Sequence, residues 1–499
     1  MSRSLYSRLA LRYRPEASGF DRREFLQLTL AASAGLLMSC ATSRDGDFRG
    51  VRPNGRKVLV MGAGFAGLAC AYELLSAGYR VSVVEARRRV GGRVLSFHDF
   101  IPGRNVEGGG ELIGSNHPTW VVYAKQFGLR FLDVTEHKEL LEPILIGGKL
   151  LTEKEGKALF EEMEGAFATM TSDARAVDAD EPWKTPDASR LDRQSTLDWL
   201  SALTVSRRCR AAIESELSAN NCVSLARQSY LGNLTQVKGG GLEKYWTESE
   251  VYRCRGGNQQ LAMKLAAAIG PERLVLDKPV RAVKAEADHV SVTCADGQVL
   301  ETDEVVLAVP PSVWGRIKFD PELPAALHPQ MGVGVKYLAA MKTRFWKKSK
   351  LAPDSLTDGM VSMTWDGTDG QRGEEGVCLT AFSGGPAAET CVQRWTESQD
   401  QAYREELAKL YPDFNANFDR SRFMNWPGED WTGASYSFPA PGQVTTVGPL
   451  LHQGLGRVHF AGEHACYKFV GYMEGALNSG VSLAKRLALR DGAIAVPSL

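Results

Sequence analysis

The stretch VLVMGAGFAGLACAYELLSAGYRVSVVEARRRVGGR, residues 58–93, decides the fold of this chain. Its apolar start predicts a buried strand, and residues 68–75 continue at helical spacing. Between them Gly62, Gly64 and Gly67 form a G-x-G-x-x-G pattern, which allows a tight turn, close approach of a pyrophosphate and close helix packing. The unpaired N–H groups and dipole at the helix start favour phosphate. This order predicts a dinucleotide-binding βαβ unit.

A second apolar run, residues 81–84, ends in the acid Glu85. An acid at the end of this strand accepts hydrogen bonds from a ribose 2′-OH, whereas a basic residue would suit a 2′-phosphate. Glu85 therefore favours FAD or NAD over NADP. We expect the neighbouring positions Phe65, Ala66 and Ala86 to contact the same dinucleotide.

The segment that follows Glu85 distinguishes FAD from NAD. It reads R-x-R-x-G-G-R-x-x-S, formed by Arg87, Arg89, Gly91, Gly92, Arg93 and Ser96. Arginines meet phosphate oxygens, and glycines let the backbone approach closely. The pattern resembles the second motif of FAD enzymes related to glutathione reductase, in their amine-oxidase branch. The resemblance implies FAD, held in part by Arg87, Gly92 and Arg93.

Two later segments resemble the same family, in the same order. Residues 105–131 contain a glycine cluster that in monoamine oxidases runs beneath the flavin ring, and residues 458–480 resemble the last FAD motif, whose acid binds the ribityl chain. The resemblance implies that the following residues contact the cofactor: Gly109, Gly110, Glu111, Leu112, Val280, Gly462, Glu463, Gly471, Tyr472 and Met473. No second G-x-G-x-x-G occurs in residues 253–310, which disfavours direct use of NAD(P)H.

Residues 429–443, EDWTGASYSFPAPGQ, resemble the loop that presents an aromatic wall to the flavin. In monoamine oxidases two facing rings guide the amine, because the negative faces of aromatic rings attract a cation. Tyr436 and Tyr472 match those positions. The resemblance implies an enzyme that removes a hydride from the carbon next to an amine nitrogen. The imine then hydrolyses to an aldehyde and ammonia or amine, and O2 or another acceptor takes the electrons.

The chain also departs from this family. Ser435 stands where animal monoamine oxidases carry the cysteine that links the flavin, so we expect FAD to be bound without a covalent bond. The lysine that holds a water near flavin N5 aligns best with Arg316, with Lys318 as its substitute. L-Amino-acid oxidases carry an arginine near residues 111–112, and none stands there; Arg344 or Arg372 would have to serve instead. This favours amines over amino acids.

Three alternatives to an amine oxidase stay open. An L-amino-acid oxidase is the nearest. An FAD-dependent desaturase or protoporphyrinogen oxidase would share the FAD motifs but would not need paired tyrosines. A non-catalytic binding protein of this fold is disfavoured, because Glu85, Arg89, Arg93 and Glu463 are all present.

The 499 residues are 43% hydrophobic and carry no net charge, which is typical of a globular protein and indicates no nucleic-acid partner. Nine cysteines without a C-x-x-C pair, and eight histidines without metal spacing, predict no metal site. The sequence leaves the oligomeric state and any disulfides open. We predict an α/β protein with a discontinuous Rossmann-like FAD-binding domain (51–115, 251–315, 429–490) and a mixed α+β substrate domain, helical in 116–250 and sheet-forming in 316–428.

We expect residues 1–50 to lie outside the globular part, as an export signal and tether. DRREFLQ, with Arg22 and Arg23, resembles a twin-arginine signal, and the apolar run 25–38 is too short to span a bilayer readily. LMSC, ending at Cys40, resembles a lipobox. The resemblances imply a protein exported in the folded state, periplasmic or anchored by a lipid on Cys40. The alternative is an amphipathic N-terminal helix.

Overall fold

A computed structural model describes residues 4–14, 53–135, 139–394 and 399–494. Its α-helices, in chain order, are α1 Leu5–Tyr13, α2 Phe65–Ser76, α3 Pro118–Gln126, α4 Glu153–Ala174, α5 Ala188–Arg193, α6 Thr196–Ala202, α7 Arg207–Asn221, α8 Tyr230–Gly239, α9 Glu243–Glu248, α10 Gln259–Ile269, α11 Pro386–Arg394, α12 Gln399–Leu410, α13 Phe414–Asn417, α14 Gln443–Thr446, α15 Gly448–Gln453 and α16 Met473–Arg490.

The strands, in chain order, are β1 Lys57–Met61, β2 Arg80–Val84, β3 Ser96–Phe97, β4 Val106–Glu107, β5 Phe131–Asp133, β6 Ile144–Ile146, β7 Lys149–Leu150, β8 Tyr252–Cys254, β9 Leu274–Val275, β10 Val280–Ala285, β11 Val290–Cys294, β12 Val299–Thr302, β13 Glu304–Leu307, β14 Lys318–Asp320, β15 Gly334–Thr343, β16 Ser355–Thr357, β17 Met363–Asp366, β18 Glu375–Gly384, β19 Phe418–Asn425 and β20 Val458–Phe460.

A five-stranded parallel sheet, in the order β20-β13-β1-β2-β9, forms the centre of one half of the molecule. Its strands come from three separate segments of the chain, so this half is discontinuous. β1 and β13 are almost wholly buried, as their unbroken apolar runs predict for strands covered on both faces. Helices α2, α10 and α16 pack together in the core on one face.

The pattern of residues 279–300, with Asp296-Gly297 at a turn, predicts a β-hairpin. Strands β11 and β12 form this hairpin, and β10 pairs with β11 in the same sheet, whose order is β12-β11-β10-β14. Asp296 and Gly297 lie in the turn before β12, and Gly297 has a positive φ of 85°. Apolar side chains of this sheet pack on the parallel sheet and bury one face of each. The predicted α/β class is confirmed.

A seven-stranded sheet in the order β19-β15-β18-β17-β16-β6-β7 forms the other half together with α4, α7 and α8. Two of its strands, β6 and β7, lie within residues 144–150, which we predicted to be helical substrate domain. They are too short to show strand periodicity, and β6 joins the sheet by pairing with β16, more than 200 residues later. The sheet therefore begins earlier in the chain than predicted.

The prediction that residues 1–50 lie outside the globular part is wrong for residues 4–14. Helix α1 is packed into the core of the helical region, and Leu5 and Leu9 are each 1% exposed. The residues of the predicted export signal, including Arg22, Arg23 and Cys40, lie outside the described residues.

No helix in the described ranges has both the length and the apolar composition needed to cross a membrane. The eight cysteines of the described part of the chain are all buried and unpaired, so they form no disulfide with one another.

Candidate active site

One cavity lies at the carboxyl ends of the parallel strands, between them and the start of β15. One side of it is lined by residues that end or follow four neighbouring strands, namely Met61, Val84, Ala308 and Gly462. Lys336 lines the other side. Ligands of open α/β sheets bind at this edge. Every residue predicted to bind the cofactor, except Gly67, lines this cavity.

The first glycine motif forms the turn between β1 and α2. Gly62 donates its N–H to Val84 O at 2.7 Å and has a positive φ of 106°, which disfavours any other residue. Gly67 does not line the cavity, but a Cβ there would lie 2.0 Å from Gly62 O. Its role is therefore the close packing of helix against turn that the motif predicts.

Glu85 joins this turn to the arginine-rich loop. Its carboxylate accepts the Ala63 N–H at 2.7 Å and the Arg87 N–H at 2.8 Å. Gly91 donates its N–H to Ala63 O at 2.9 Å. The two glycine motifs thus form one continuous wall of the cavity, with the Glu85 carboxyl group between them.

Glu463 connects its own motif with two other segments, the arginine-rich loop and residues 429–443. Its carboxylate lies 2.9 Å from Arg93 Nη1 and accepts hydrogen bonds from Ser437 Oγ at 2.6 Å and from Gly471 N at 2.9 Å. Burial would raise the pKa of Glu463, but the nearby Arg93 and the hydrogen bonds outweigh it and lower the pKa. Glu463 is therefore an anion, and its hydrogen bonds hold these segments together in the cavity wall.

The cavity fits an FAD. His464 lines it and is buried, and neither ring nitrogen has a hydrogen-bond partner among the described residues. Burial lowers the pKa of His464 to about 4, so the ring is neutral and can donate one hydrogen bond and accept another. The glycine turns predicted to hold the phosphates, Glu85 predicted to hold a ribose, and Val280 predicted to lie at the adenine all line this same cavity.

Tyr436 and Tyr472 line this cavity from two different segments of the chain. The hydroxyl of Tyr436 donates to Asn220 O at 3.0 Å, and the Tyr472 ring lies edge-on to His117, with 5.1 Å between the ring centroids. Burial raises the pKa of both hydroxyls well above the usual value. Both rings therefore stay uncharged, and their assignment as an amine cage stays a prediction.

Lys336 was missed by the sequence reasoning. It is buried on β15, lines the cavity and donates to the Glu111 carboxylate at 2.7 Å and to Gly109 O at 2.8 Å. Arg253 Nε and Trp365 Nε1 also lie within 2.9 Å of Glu111. Burial would raise the pKa of Glu111, but the two cations lower it. The signal in the sequence was a single lysine within the apolar run of residues 333–341.

The structure separates the two candidates for the lysine equivalent, because Arg316 lines the cavity and Lys318 does not. Lys318 is exposed on β14 and does not line the cavity. Arg316 is also exposed and donates to Asp430 O, in the part of the cavity wall that contains Arg87 and Thr432. Lys336 is a buried amine beside the Gly109–Leu112 segment, and the role of Arg316 stays a prediction.

Neither arginine considered for a substrate carboxylate reaches the cavity. Arg344 is buried in a salt bridge with Asp366 at 2.6 Å and donates to Thr368 O at 3.2 Å. Arg372 is exposed. Among the described residues, the arginines that line the cavity are Arg87, Arg93 and Arg316, which belong to the cofactor motifs or to the exposed rim.

Comparison with known proteins agrees with this geometry. A family model described as flavin containing amine oxidoreductase matches residues 65–488. The chain is 24% identical to a probable flavin-containing monoamine oxidase A of Dictyostelium discoideum, over 86% of this chain and 97% of that protein. It is 26% identical to an L-amino acid dehydrogenase of Synechocystis, over 86% and 94% of the two chains.

Among solved structures, putrescine oxidase bound to putrescine matches with a TM-score of 0.77 and 25% identity, over 87% of this chain and 98% of that one. The family model covers well over half of the chain and includes the cofactor motifs described above, except residues 58–64, which contain most of β1 and the first two glycines of the G-x-G-x-x-G pattern. The chain therefore belongs to the flavin-containing amine oxidoreductases, a family of enzymes whose cofactor is FAD.

Proposed function

We propose that this protein is an FAD-dependent amine oxidase, which removes a hydride from the carbon next to an amine nitrogen. The observation that carries the proposal is that Tyr436 and Tyr472 line the same cavity as the Gly109–Leu112 segment. Bound FAD supplies the hydride acceptor, and its reoxidation by O2 yields hydrogen peroxide. The imine released from the amine hydrolyses to an aldehyde and ammonia or amine.

The residues of the chain bind and orient the amine. Two neutral aromatic rings attract an ammonium group through their negative faces, a contribution of about 0.5–2 kcal/mol. Holding the carbon near the cofactor lowers the entropic cost of the reaction. Lys336 keeps a positive charge in the cavity wall beside Gly109, where it favours negative charge that develops during reduction.

An L-amino-acid dehydrogenase or oxidase is the second candidate, because the protein from Synechocystis bearing the former name is as similar as the amine oxidases. A substrate carboxylate needs a cation, and a bidentate arginine serves best. The cavity arginines of the described chain are Arg87, Arg93 and Arg316, and Arg93 is already bound to Glu463. This arrangement favours amines without a carboxylate.

A substrate panel tests the proposal. The purified, FAD-loaded protein is mixed without O2 with monoamines, diamines and amino acids, and flavin reduction is followed by absorbance. O2 and an artificial acceptor are then compared in turnover. We expect reduction by amines and peroxide formation with O2. Reduction by amino acids alone would favour the second candidate, and turnover only with the artificial acceptor would replace oxidase by dehydrogenase.

We also propose that the protein is exported through the twin-arginine pathway and acts outside the cytoplasm, either free or held by a lipid on Cys40. The support is the DRREFLQ segment followed by a short apolar run and a lipobox-like sequence. Export after folding suits an enzyme that must first bind FAD.

A further inference from the structure

Helix α1 fills a channel rather than lying on a surface. Six of its nine residues are buried, namely Leu5, Tyr6, Arg8, Leu9, Ala10 and Leu11. Successive residues of an α-helix are about 100° apart, so these six point to all sides of the helix. A helix on a surface would bury one face only. The surrounding protein therefore encloses the helix along most of its length.

The walls of this channel are aromatic and acidic. The ring of Tyr6 packs against Phe167 and Trp246, with centroids 4.9 and 6.1 Å apart. Arg8 lies 3.3 Å from the Asp354 carboxylate, and both side chains are almost wholly buried. Toward the outer end, Arg12 reaches Glu142 at 3.5 Å and Glu153 at 2.7 Å. The channel is thus suited to an elongated cation with apolar parts.

The inner end of α1 meets two carboxylates. The Ser4 N–H donates to Glu250 at 2.9 Å, the Ser4 hydroxyl donates to Glu216, and the Tyr6 N–H donates to Glu216 at 3.3 Å. Acids at a helix N-terminus are favoured by the helix dipole. Glu216 is 2% exposed, and its Oε2 has no hydrogen-bond partner among the described residues, so the helix satisfies this group only in part.

These carboxylates lie next to the proposed cage. Trp246, which packs on Tyr6, also contacts Tyr245 with centroids 4.9 Å apart, and Tyr245 packs against Tyr472. Burial is the main cause of the raised pKa of Tyr436 and Tyr472, and the charge of Glu250 adds to both. Within the described chain, neither Glu216 nor Glu250 lines the cavity. The channel and the cavity are therefore neighbours, and the side chains of Trp246 and Tyr245 lie between Tyr6 and Tyr472.

We propose that residues 4–14 are a removable plug in an acidic channel through which a cationic amine reaches the tyrosine cage. The inference rests on the proposed amine oxidase function. When the helix leaves, Glu216, Glu250 and Asp354 lose their N–H and guanidinium partners and bind the ammonium groups of the substrate instead. In the full chain the plug blocks access of the amine to the tyrosine cage. In the cleaved enzyme the channel is open to the amine.

Two features make the plug removable. Ion pairs buried as deeply as Arg8–Asp354 gain little net free energy, because both groups lose their hydration, so charge alone does not lock the helix in place. In addition, the predicted export signal lies between residue 14 and the FAD-binding domain. Cleavage before Cys40, which the export proposal implies, would cut the plug from the enzyme.

The test compares FAD-loaded full chain with the predicted mature chain that starts at Cys40. Anaerobic calorimetry on protein whose FAD has first been reduced, so that the diamine binds without being oxidised, measures the Kd of 1,4-diaminobutane, and steady-state assays measure its kcat/KM. If the plug occupies the channel most of the time, the apparent affinity falls by the open fraction, so we expect the shorter chain to bind about tenfold more tightly or better. Equal Kd values in the two chains would overturn the proposal.

Charge reversal and a peptide give independent measurements. The full-length double variant Arg8→Glu and Arg12→Glu should behave like the shorter chain, whereas Arg175→Glu, at an exposed pair with Glu243, should not. A peptide of residues 1–14 should compete with the diamine in the shorter chain, and a scrambled peptide should not. If the shorter chain has a much lower melting temperature than the full chain, the Kd of the full-length double variant is used to test the proposal instead.

The two proposals fail in different ways. Tighter diamine binding without flavin reduction by any amine of the substrate panel would leave the plug standing and refute the amine oxidase function. Turnover with the same kcat/KM in both chains, together with no competition by the peptide, would refute the plug and leave the amine oxidase function intact.

Discussion

The ammonium group of Lys336 lies 2.7 Å from the Glu111 carboxylate, in the wall of the cavity and away from solvent. Both residues touch the segment that the family places beneath the flavin ring, because Lys336 also donates to Gly109 O. Arg253 supplies a second cation at 2.9 Å, so Glu111 remains ionised between two positive charges. The cluster of Glu111, Lys336 and Arg253 therefore places two cations against one carboxylate beside the cavity.

We predict that Lys336→Met lowers both activity and stability. Removing one partner from a buried ion pair costs about 3–5 kcal/mol, and Arg253 should reduce that cost here. The rate of flavin reduction or reoxidation should fall at least about tenfold, or about 1.4 kcal/mol in the barrier. Stopped-flow absorbance and urea unfolding measure the two effects. Lys342→Met, exposed on the same strand, is the matched control, and identical kinetics in both variants would contradict the prediction.

We predict that Tyr436→Leu and Tyr472→Leu each lower kcat/KM by about tenfold or more, because a cation–π contact contributes up to about 2 kcal/mol. FAD content and melting temperature should change little. Tyr403→Leu, in a core cluster that does not line the cavity, is the control and should show the reverse pattern, with a loss of a few kcal/mol in stability. Full activity per folded molecule in both cage variants would refute the cage.

We predict that FAD is bound without a covalent bond. Ser435 lines the cavity at the position where a linking cysteine would stand, and no cysteine of the described chain lines the cavity. Precipitation with acid should therefore release all the yellow colour into the supernatant. Flavin that stays with the pellet after denaturation would show that another residue forms a bond to it.

We predict that export depends on the arginine pair. The double change Arg22→Lys and Arg23→Lys should leave precursor in the cytoplasm, because the twin-arginine pathway recognises the guanidinium pair rather than charge alone. Fractionation and immunoblotting measure the distribution. Arg12→Lys, outside the DRREFLQ segment, is the control. Normal export of the double variant would mean that another route carries the protein.

The parts of the molecule that the sequence predicts are those with a local cause. The glycine turn, the strand on each side and Glu85 follow from residues within one βαβ unit, and the structure brings them together as expected. The hairpin of β11 and β12 likewise follows from alternation and a turn. For these elements, the spacing of residues within one short segment is sufficient to predict the structure.

The features that the sequence does not predict depend on contacts with residues far away in the chain. Helix α1 reads as a basic amphipathic helix, and its burial becomes evident only when Asp354 and Glu216 are seen to lie around it. In the sequence, Lys336 similarly interrupts an apolar strand with no visible reason. The structure supplies the reason, because Glu111, 225 residues away in the chain, lies beside it. Burying a charged side chain costs much free energy unless an opposite charge lies next to it. The burial of such a residue therefore cannot be inferred from one segment when its partner lies in another.

The last prediction concerns Glu474, which is fully buried at the start of α16 and accepts the N–H groups of Thr119 at 3.0 Å and Trp120 at 2.9 Å. Burial raises its pKa to about 7, against the opposing effect of these hydrogen bonds. The folded protein therefore binds a proton here in a pH range where the unfolded chain has lost it. Stability from this group is complete below about pH 4.3, the pKa of an unfolded glutamate, and decreases as pH rises to about 7.

Glu474→Gln removes this titration. At pH 5 the variant should be less stable than the parent by about 1 kcal/mol, because the amide can accept from fewer N–H groups. Between pH 5 and pH 8 the parent should lose on the order of 2–3 kcal/mol relative to the variant, since one pKa unit corresponds to about 1.4 kcal/mol. Urea unfolding at several pH values measures the difference, and the exposed Glu214→Gln gives the background. A difference between parent and Glu474→Gln that does not change with pH would show that Glu474 is ionised throughout.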